Sequence, residues 1–267
     1  MYCFPNDTGV STALREFGEY AVIEVALYHR LLEPGDVFID VGANIGAITR
    51  GVASAASRPR VICFEPHLAT YQLLLANTLG RDGITCYPLA VSDRSGMIAV
   101  PEIDSGKAAN YGAFALDGTR GVPCPTVRLD EFLRPRAPAP RLVKIDVEGM
   151  EAAVLRGLSG LLHERLVVSV EADRRDKVPE ILEEMRDFTI FAVFFRVIRS
   201  SNPKFDRARH HCKVRHVHLV GFAGAPPPLD VPGLWPVRTP ADFDQLWRKY
   251  FGADPHSEAG PVPGEPG

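Results

Sequence analysis

The sequence predicts an α/β fold in which helices cover both faces of a mostly parallel sheet. Short, continuously apolar runs alternate along the chain with longer stretches whose apolar residues recur at helical spacing. These runs have no polar face, which is typical of strands buried between two layers of helices. The first strands predicted in this way are VFIDV (Val37–Val41), VICFE (61–65), LVKIDV (142–147) and LVVSVEA (166–172). Their alternation with helices implies right-handed crossovers and a doubly wound sheet.

The other elements follow from the same periodicity and from the turn residues that interrupt it. The predicted helices are 45–57, 68–79, 178–186 and 241–251, and the further predicted strands are 84–92, 97–101, 122–128, 189–197 and 213–222. The loop between the strands 97–101 and 122–128 is rich in glycine and alanine, which indicates an inserted hairpin or flap. The last strand alternates apolar and polar residues, as expected of an antiparallel or edge strand.

Four segments are expected along the chain. An N-terminal helical segment, 1–36, leads into a cofactor-binding domain, 37–223. A proline-rich linker with a short helix follows at 224–253, and the tail, 254–267, has the composition of a disordered segment.

Composition and charge restrict the function classes. The 267 residues carry a formal net charge of −3, so no general basic field attracts nucleic acid or an anionic membrane. The five cysteines are scattered without a C-x-x-C pair, which favours reduced thiols and a cytoplasmic protein over a disulfide framework or a zinc ribbon. The N-terminus lacks the pattern of a secretory signal, and no apolar run reaches the roughly 20 residues of a membrane helix.

The stretch VFIDVGANIG predicts a nucleotide-binding turn at the carboxyl end of the first strand. Asp40 lies near the end of the strand, and Gly42 permits a positive φ and the close approach of a ligand. Asn44 stands where asparagine best tolerates the left-handed region, and Gly46 permits close packing of the helix that follows. A plain tight turn between strand and helix is the competing interpretation.

The turn departs from the dinucleotide fingerprint G-x-G-x-x-G, because it lacks the second glycine and places a carboxylate before the turn. A carboxylate in this position repels a pyrophosphate and suits a ligand with a cationic group. S-adenosylmethionine carries both an ammonium and a sulfonium, and it is therefore the predicted cofactor.

Two later strand ends supply further candidates for cofactor binding. Glu65 follows the glycine turn by about 20 residues, the spacing at which an acid contacts a ribose, although it could instead cap the next helix. Ser92 and Asp93, in AVSD, could accept a hydrogen bond from an adenine amino group, or they could form an ordinary turn.

The stretch KIDVEGMEAAVLRG is the most distinctive. Lys144, Asp146 and Glu148 share one side of a strand by period-two alternation, so the lysine and the aspartate must pair or contact a polar ligand. Asp146 is the first candidate for orienting or deprotonating a hydroxyl acceptor, and Glu148 is the second. Both could instead stabilise the cation of the cofactor, and a purely structural ion pair is the alternative.

Histidines and aromatic residues give weaker indications. His67, His210, His211, His216 and His218 are available as bases. His216 and His218 have a spacing compatible with metal, yet no third ligand is evident, and a solvated or packed face is favoured. Asp146, Glu171 and Asp173 could also supply oxygens to a divalent metal, but the sequence does not establish this and no metal site is predicted. The loop 104–121 and the segment before Val37 are expected to recognise the acceptor, with Tyr20, Tyr111 and Phe114 as stacking candidates.

In this order, DVGANIGAIT, FEPH, AVSD and LVKIDVEGMEAAVLRG resemble the FkbM-type S-adenosylmethionine-dependent methyltransferases. The resemblance spans roughly residues 4–172. It implies a Rossmann-like, seven-stranded methyltransferase fold whose last strand is antiparallel. It also implies a cofactor loop at Asp40, Gly42, Asn44 and Gly46, with Glu65 at the ribose, Asp93 near the adenine and Asp146 by the methyl group.

The family methylates hydroxyls of sugars, polyketides and other secondary metabolites, so the resemblance implies a small-molecule or glycan acceptor. Two other functions stay open. An NAD(P)-dependent oxidoreductase would share the turn and the ribose acid, but the altered glycine pattern and Asp40 argue against it. A non-catalytic binding protein could keep the fold, although Asp40, Glu65 and Asp146 together speak against that reading.

Overall fold

The computed structural model describes residues 1–104, 106–113, 121–206, 215–228 and 233–251. Its strands are β1 Val37–Val41, β2 Arg60–Phe64, β3 Ile84–Tyr87, β4 Ala90–Ser92, β5 Gly96–Val100, β6 Val122–Arg128, β7 Leu142–Ile145, β8 Val167–Glu171, β9 Thr189–Arg196, β10 Arg215–Phe222 and β11 Leu234–Val237. Its α-helices are α1 Val10–Phe17, α2 Val22–Leu31, α3 Ala47–Ala53, α4 Leu68–Thr78, α5 Leu129–Leu133, α6 Glu151–Gly157, α7 Val178–Glu184 and α8 Pro240–Phe251.

The main sheet confirms the predicted Rossmann-like α/β fold. Its strand order is β11-β9-β10-β8-β7-β1-β2-β3. The pairs that join β8, β7, β1, β2 and β3 are parallel, whereas β10 is antiparallel to both β8 and β9. The chain moves outward from β1 to β3 and then returns to build the other half from β7. The switch point between β1 and β7 is therefore where a ligand is expected, beyond the carboxyl ends of these strands.

The core lies on both faces of this sheet. Every residue of β1 is buried, and neighbouring residues face opposite layers. Ile39 packs with Ile145 and Val170 in one hydrophobic cluster, while Phe38 packs with Leu142 in the other. Burial on both faces explains why these strands have no polar side in the sequence.

The predicted strand 84–92 is divided in the structure. Pro88 follows β3, and the chain resumes as β4 in a separate three-stranded sheet of order β4-β6-β5. Proline has no N–H to donate to a ladder, which accounts for the break. As a result, β4 ends beside α6 rather than at the edge of the main sheet.

The segment 224–253 holds one strand that we did not predict. β11 pairs antiparallel with β9 and gives the described part of the main sheet eight strands instead of seven. The predicted helix 241–251 is present as α8, which buries Phe243, Trp247 and Tyr250 against the core. The tail predicted at 254–267 lies outside the described residues. None of the described helices is both long enough and apolar enough to span a bilayer.

Candidate active site

A cavity of about 490 Å³ opens at the carboxyl ends of β1, β2, β7 and β8. Its volume falls in the range of about 300–1,000 Å³ that is usual for small-molecule sites. The turns after these strands contribute Gly42, Asn44, Glu65, Asp146 and Glu148 to the wall. Five of the nine sequence-predicted site residues therefore meet in one place, at the switch point of the sheet.

The glycine turn after β1 has the predicted backbone conformation. Gly42 has a φ of +81°, and a Cβ placed there would lie 1.8 Å from the carbonyl oxygen of Asp146. Asn44 has a φ of +51°, in the left-handed region that asparagine tolerates. Gly46 immediately precedes α3 and has a φ of +85°, and a Cβ there would lie 2.8 Å from Leu74. The turn and the strand end at Asp146 thus approach each other more closely than any side chain at position 42 would allow.

Glu65 is buried in the wall of the cavity and is held by backbone groups. Its Oε2 accepts a hydrogen bond from the N–H of Asn44 at 2.9 Å. Its Oε1 accepts from the N–H of His67 at 2.9 Å. A carboxylate offers about four acceptor positions, so these bonds orient the group and leave capacity for a ligand hydroxyl.

Asp40 does not line the cavity. It stands opposite Lys144 in the β1–β7 register and is fully buried. One oxygen accepts from the hydroxyl of Thr49 at 2.6 Å, and the other lies 3.4 Å from the ammonium of Lys144, too long for a well-formed hydrogen bond. We expected Asp40, Glu65 and Asp146 to face a common cavity, and the structure brings only Glu65 and Asp146 to it.

Ser92 and Asp93 also lie outside the described lining of the cavity. Ser92 is the last residue of β4 and Asp93 follows it. This strand packs against α6, and Asp93 forms an ion pair with Arg156 at 3.3 Å. A Cβ at Gly157 would lie 2.2 Å from the carbonyl oxygen of Ser92, which shows how closely this turn packs. Their part in adenine binding stays a prediction that no contact in the described structure supports.

The ends of β7 and β8 bring together more carboxyl groups than the sequence analysis assigned to the site. Asp146, Glu148 and Glu171 each place an oxygen within 4.8 Å of the other two, and Asp173 lies beside them in the cavity wall. Glu171 and Asp173 were considered only as metal ligands from sequence. The signal for their proximity is the adjacency of β7 and β8, two strands that end at the same edge of the sheet.

These carboxyl groups differ strongly in proton affinity. Burial would raise the pKa of Asp146, but the ammonium of Lys144, 3.1 Å away, and a hydrogen bond with Glu171 lower it to about 2. Burial and the charge of Asp146 raise the pKa of Glu171 well above its usual range. Burial and Asp146 also raise the pKa of Glu148 to about 7, against the opposing effect of its ion pair with Arg174. At neutral pH, Asp146 is an anion and Glu148 is poised to exchange a proton.

Two segments that are far apart in the sequence close another side of the cavity. The residues at 8–10 and the short 3₁₀ turn Tyr111–Ala113 both line it. Asp7 joins them, because its Oδ1 accepts from the N–H of Gly9 at 3.0 Å and from that of Tyr111 at 3.2 Å.

Both segments lie in the regions from which we predicted acceptor recognition. Tyr20 and Tyr111 are in the cavity wall, and Phe114 lies outside the described residues. The contribution of residues 8–10 was not specified from the sequence, since it depends on a contact across about 100 residues.

The histidines separate into two groups. His67 and His216 line the cavity, whereas His218 is completely buried behind it. His210 and His211 lie outside the described residues. Burial lowers the pKa of His216, which favours the neutral imidazole.

Comparisons with known proteins identify the family of this chain. A family model described as the methyltransferase FkbM domain matches residues 40–192. The hexuronic acid methyltransferase AglP of Haloferax volcanii is 33% identical over 176 residues, which cover 63% of this chain and 70% of that protein. Methyltransferase 1 of Beauveria bassiana is 30% identical over 149 residues, which cover 47% of this chain and 59% of that protein.

Among solved structures, the precorrin-6y C5,15-methyltransferase of Geobacter metallireducens is similar with a TM-score of 0.49 and 13% identity, over 75% of this chain and 87% of that one. At that distance the likeness carries no functional argument. The family match covers more than half of the 267 residues and contains the turn at Gly42, Glu65 and the acidic ends of β7 and β8. This chain belongs to the FkbM methyltransferase family.

Proposed function

We propose that this methyltransferase uses S-adenosylmethionine to methylate a hydroxyl on a sugar, a glycan or a secondary metabolite. The observation that carries the proposal is the pair of carboxylates Glu65 and Asp146 in the wall of one cavity, beside a turn that is free of side-chain bulk at Gly42. A cavity of this kind suits a ligand with a positive charge and a ribose.

The residues of the cavity fit this cofactor. Gly42 would let its backbone approach the ligand closely, and Glu65 would accept hydrogen bonds from the ribose hydroxyls. Asp146, whose pKa is lowered to about 2, would face the positive charge as a permanent anion. Asp40 would act indirectly by holding Lys144, which in turn fixes Asp146. When bound, S-adenosylmethionine supplies an electrophilic methyl group on a sulfonium.

Glu148, in the cavity wall, is the residue that we assign to accept the proton of the hydroxyl. A general base is most effective when its pKa is near the working pH, and the pKa of Glu148 is raised to about 7. Asp146, with a pKa of about 2, is a weak base, so we assign it to the cofactor. The order of the two sequence candidates is therefore reversed. Proton removal of this kind contributes about 10²–10⁴-fold to a rate, and alignment of the reactants contributes further.

The acceptor is expected to be neutral. The described lining includes no lysine or arginine. It includes Asp146, which is an anion at neutral pH, and Glu148, which is partly ionised there. A relative, AglP, is named for a hexuronic acid. A uronate carboxylate would meet like charge here, so we expect a neutral sugar hydroxyl to be the better substrate for this chain.

We place the reaction in the cytoplasm, as the sequence predicts from its unpaired cysteines. The cysteines of the described part of the chain, Cys3, Cys63, Cys86 and Cys124, are free thiols. Free thiols are typical of reducing compartments.

The test has two stages. Calorimetry with S-adenosylhomocysteine and, separately, with NADH should give binding of the former alone. Transfer of labelled methyl groups is then measured over a panel of hydroxylated acceptors that includes each sugar as the neutral glycoside and as the uronate. Binding of NADH without S-adenosylhomocysteine would favour the oxidoreductase. Binding of S-adenosylhomocysteine with no transfer to any acceptor would favour the non-catalytic alternative.

A further inference from the structure

At the cavity wall and behind it, three potential metal ligands converge from two elements. Glu24 belongs to α2, and His216 and His218 belong to β10. Because they are two residues apart, the histidines lie on the same face of the strand, and their rings are stacked with centroids 6.5 Å apart. One carboxylate oxygen and one nitrogen from each imidazole all lie within 4.8 Å of one another.

His218 supplies an independent sign that this group binds something. Its side chain is completely buried, and its Nδ1 lies 3.0 Å from the hydroxyl of Ser169. Its Nε2 has no hydrogen-bond partner in the described part of the chain and lies 3.9 Å from Oε1 of Glu24. That separation is too long for a hydrogen bond, and a buried polar atom without a partner is costly.

The neighbouring hydroxyls fix the positions of the protons around these two atoms. Tyr28 has one hydroxyl proton, and its shorter contact is to Glu24 at 2.7 Å. The hydroxyl of Ser169, 2.8 Å from that of Tyr28, then donates to Tyr28 and accepts from Nδ1–H of His218. In this assignment, the lone pair of His218 Nε2 faces the carboxylate of Glu24. Two acceptors that face each other call for a cation between them.

His216 completes the group on the side of the cavity. Its ring is held edge-on by Tyr20, with centroids 5.8 Å apart, and it lies in the cavity wall, whereas Glu24 and His218 lie deeper. Two imidazoles and one carboxylate form the donor set of three-ligand zinc sites, which keep one position open. Imidazole-rich sets also suit Ni²⁺, Co²⁺ and Cu²⁺ but not Mg²⁺, which prefers oxygen.

We propose that Glu24, His216 and His218 bind one divalent transition-metal ion, of which Zn²⁺ is the first candidate, at the inner end of the cavity. Ser169 and Tyr28 orient two of the ligands, as outer hydrogen bonds do in other metal sites. The open position of the ion lies on the side of His216 and the cavity. None of the three ligands is a carboxyl group assigned to the cofactor or to proton transfer, although His216 also lies within 4.8 Å of oxygens of Glu171 and Asp173. The site does not depend on the proposed acceptor.

The test is metal binding by the full chain without a histidine tag, after chelation and dialysis. Zn²⁺ is titrated by calorimetry, and Co²⁺ is followed by its visible absorption. We expect one ion per chain and the intense d–d bands of a site with few ligands. His216→Gln and Glu24→Gln should each weaken binding by more than about 10-fold. His67→Gln, a cavity histidine outside the group, and the double change His210→Gln with His211→Gln should leave it unchanged.

Circular dichroism and S-adenosylhomocysteine binding verify that each variant is folded. Three results would overturn the proposal. The first is a wild-type chain that binds neither ion at micromolar concentration. The second is binding that survives His216→Gln but is lost in Asp146→Asn, which would place the ion on the carboxyl groups. The third is binding lost only when His210 and His211 are replaced.

Discussion

The ammonium of Lys144 lies 3.1 Å from Oδ2 of Asp146, and only 4% of the lysine side chain is exposed. On its other side, Lys144 lies 3.4 Å from Asp40. Burial alone would lower the pKa of Lys144, but Asp146, Asp40 and Glu24 together raise it above its usual value. The lysine therefore stays charged and joins a residue of the cavity wall to one inside the sheet.

Lys144→Met should destabilise the protein by about 3–5 kcal/mol, since it leaves two buried or half-buried carboxylates without their cation. The free energy of unfolding is measured with a chemical denaturant. The matched control is Lys107→Met, which removes the ion pair with Asp104 at the same 3.1 Å distance but on the surface. Exposed pairs contribute little, so this control should stay close to the wild type. If Lys144→Met lowered the free energy of unfolding no more than Lys107→Met does, Lys144 would not be important for stability.

Gly42→Ala should be much more damaging than an alanine at another left-handed glycine. At Gly35, with a φ of +87°, no atom lies within 4 Å of an added Cβ, so the substitution costs only the backbone strain of about 1–2 kcal/mol. At Gly42 the added Cβ would also meet the carbonyl oxygen of Asp146 at 1.8 Å. We expect the free energy of unfolding to fall by about 1–3 kcal/mol more, and S-adenosylhomocysteine binding to be weaker. Similar stabilities for the two variants would mean that the turn relaxes easily.

Glu65→Gln should weaken the binding of S-adenosylhomocysteine by roughly 10–100-fold, because one charge-assisted hydrogen bond contributes about 1.5–3 kcal/mol. The backbone N–H groups of Asn44 and His67 both donate to Glu65. Glutamine keeps one carbonyl oxygen, which can accept from one of them. The variant is therefore gentler than Glu65→Ala, and calorimetry measures the change. Glu183→Gln, at an exposed position, is the control. An unchanged affinity in the folded variant would remove Glu65 from the ribose site.

The structure shows which parts of this site local sequence patterns can predict. The conformation of Gly42 and Asn44 is a property of the residues themselves, and the rim position of Glu65 follows from its place at a strand end. We predicted that Asp40 binds the cofactor, because the alternation of residues along one strand does not reveal an ion-pair partner on the neighbouring strand. The partner, Lys144, is its neighbour in a strand about 100 residues away. The shared position of Glu171, Asp173 and Asp146 likewise depends on the pairing of β7 with β8. Such contacts depend on the order of the strands in the sheet. The periodicity within one strand does not reveal that order.

The stability of Glu148→Gln relative to the wild type should rise as the pH increases from about 4.5 to 7. The pKa of Glu148 is raised to about 7 in the folded protein, so the folded state binds a proton that the unfolded state releases. The contribution of Glu148 to the stability of the wild type is therefore lost as the pH rises through that window. Glutamine does not titrate, so the variant does not undergo this loss. The difference in the free energy of unfolding between the variant and the wild type should change by on the order of 1–3 kcal/mol. It is measured by denaturation at several pH values. The opposite slope would mean that the ion pair with Arg174 dominates and lowers the pKa.

Glu148→Gln should also reduce turnover by about 10²–10⁴-fold while S-adenosylhomocysteine binding changes little, if Glu148 takes the acceptor proton. The ionised carboxylate is the active form, so wild-type turnover should rise with pH and level off above about 7, and the variant should lose this rise. Asp146→Asn is the matched comparison, since the same change of charge beside the sulfonium should weaken S-adenosylmethionine binding. Rates and affinities are measured for both variants with the best acceptor from the methyl-transfer panel. If Glu148→Gln keeps full turnover while Asp146→Asn loses it with normal cofactor binding, Asp146 is the base and Glu148 is not.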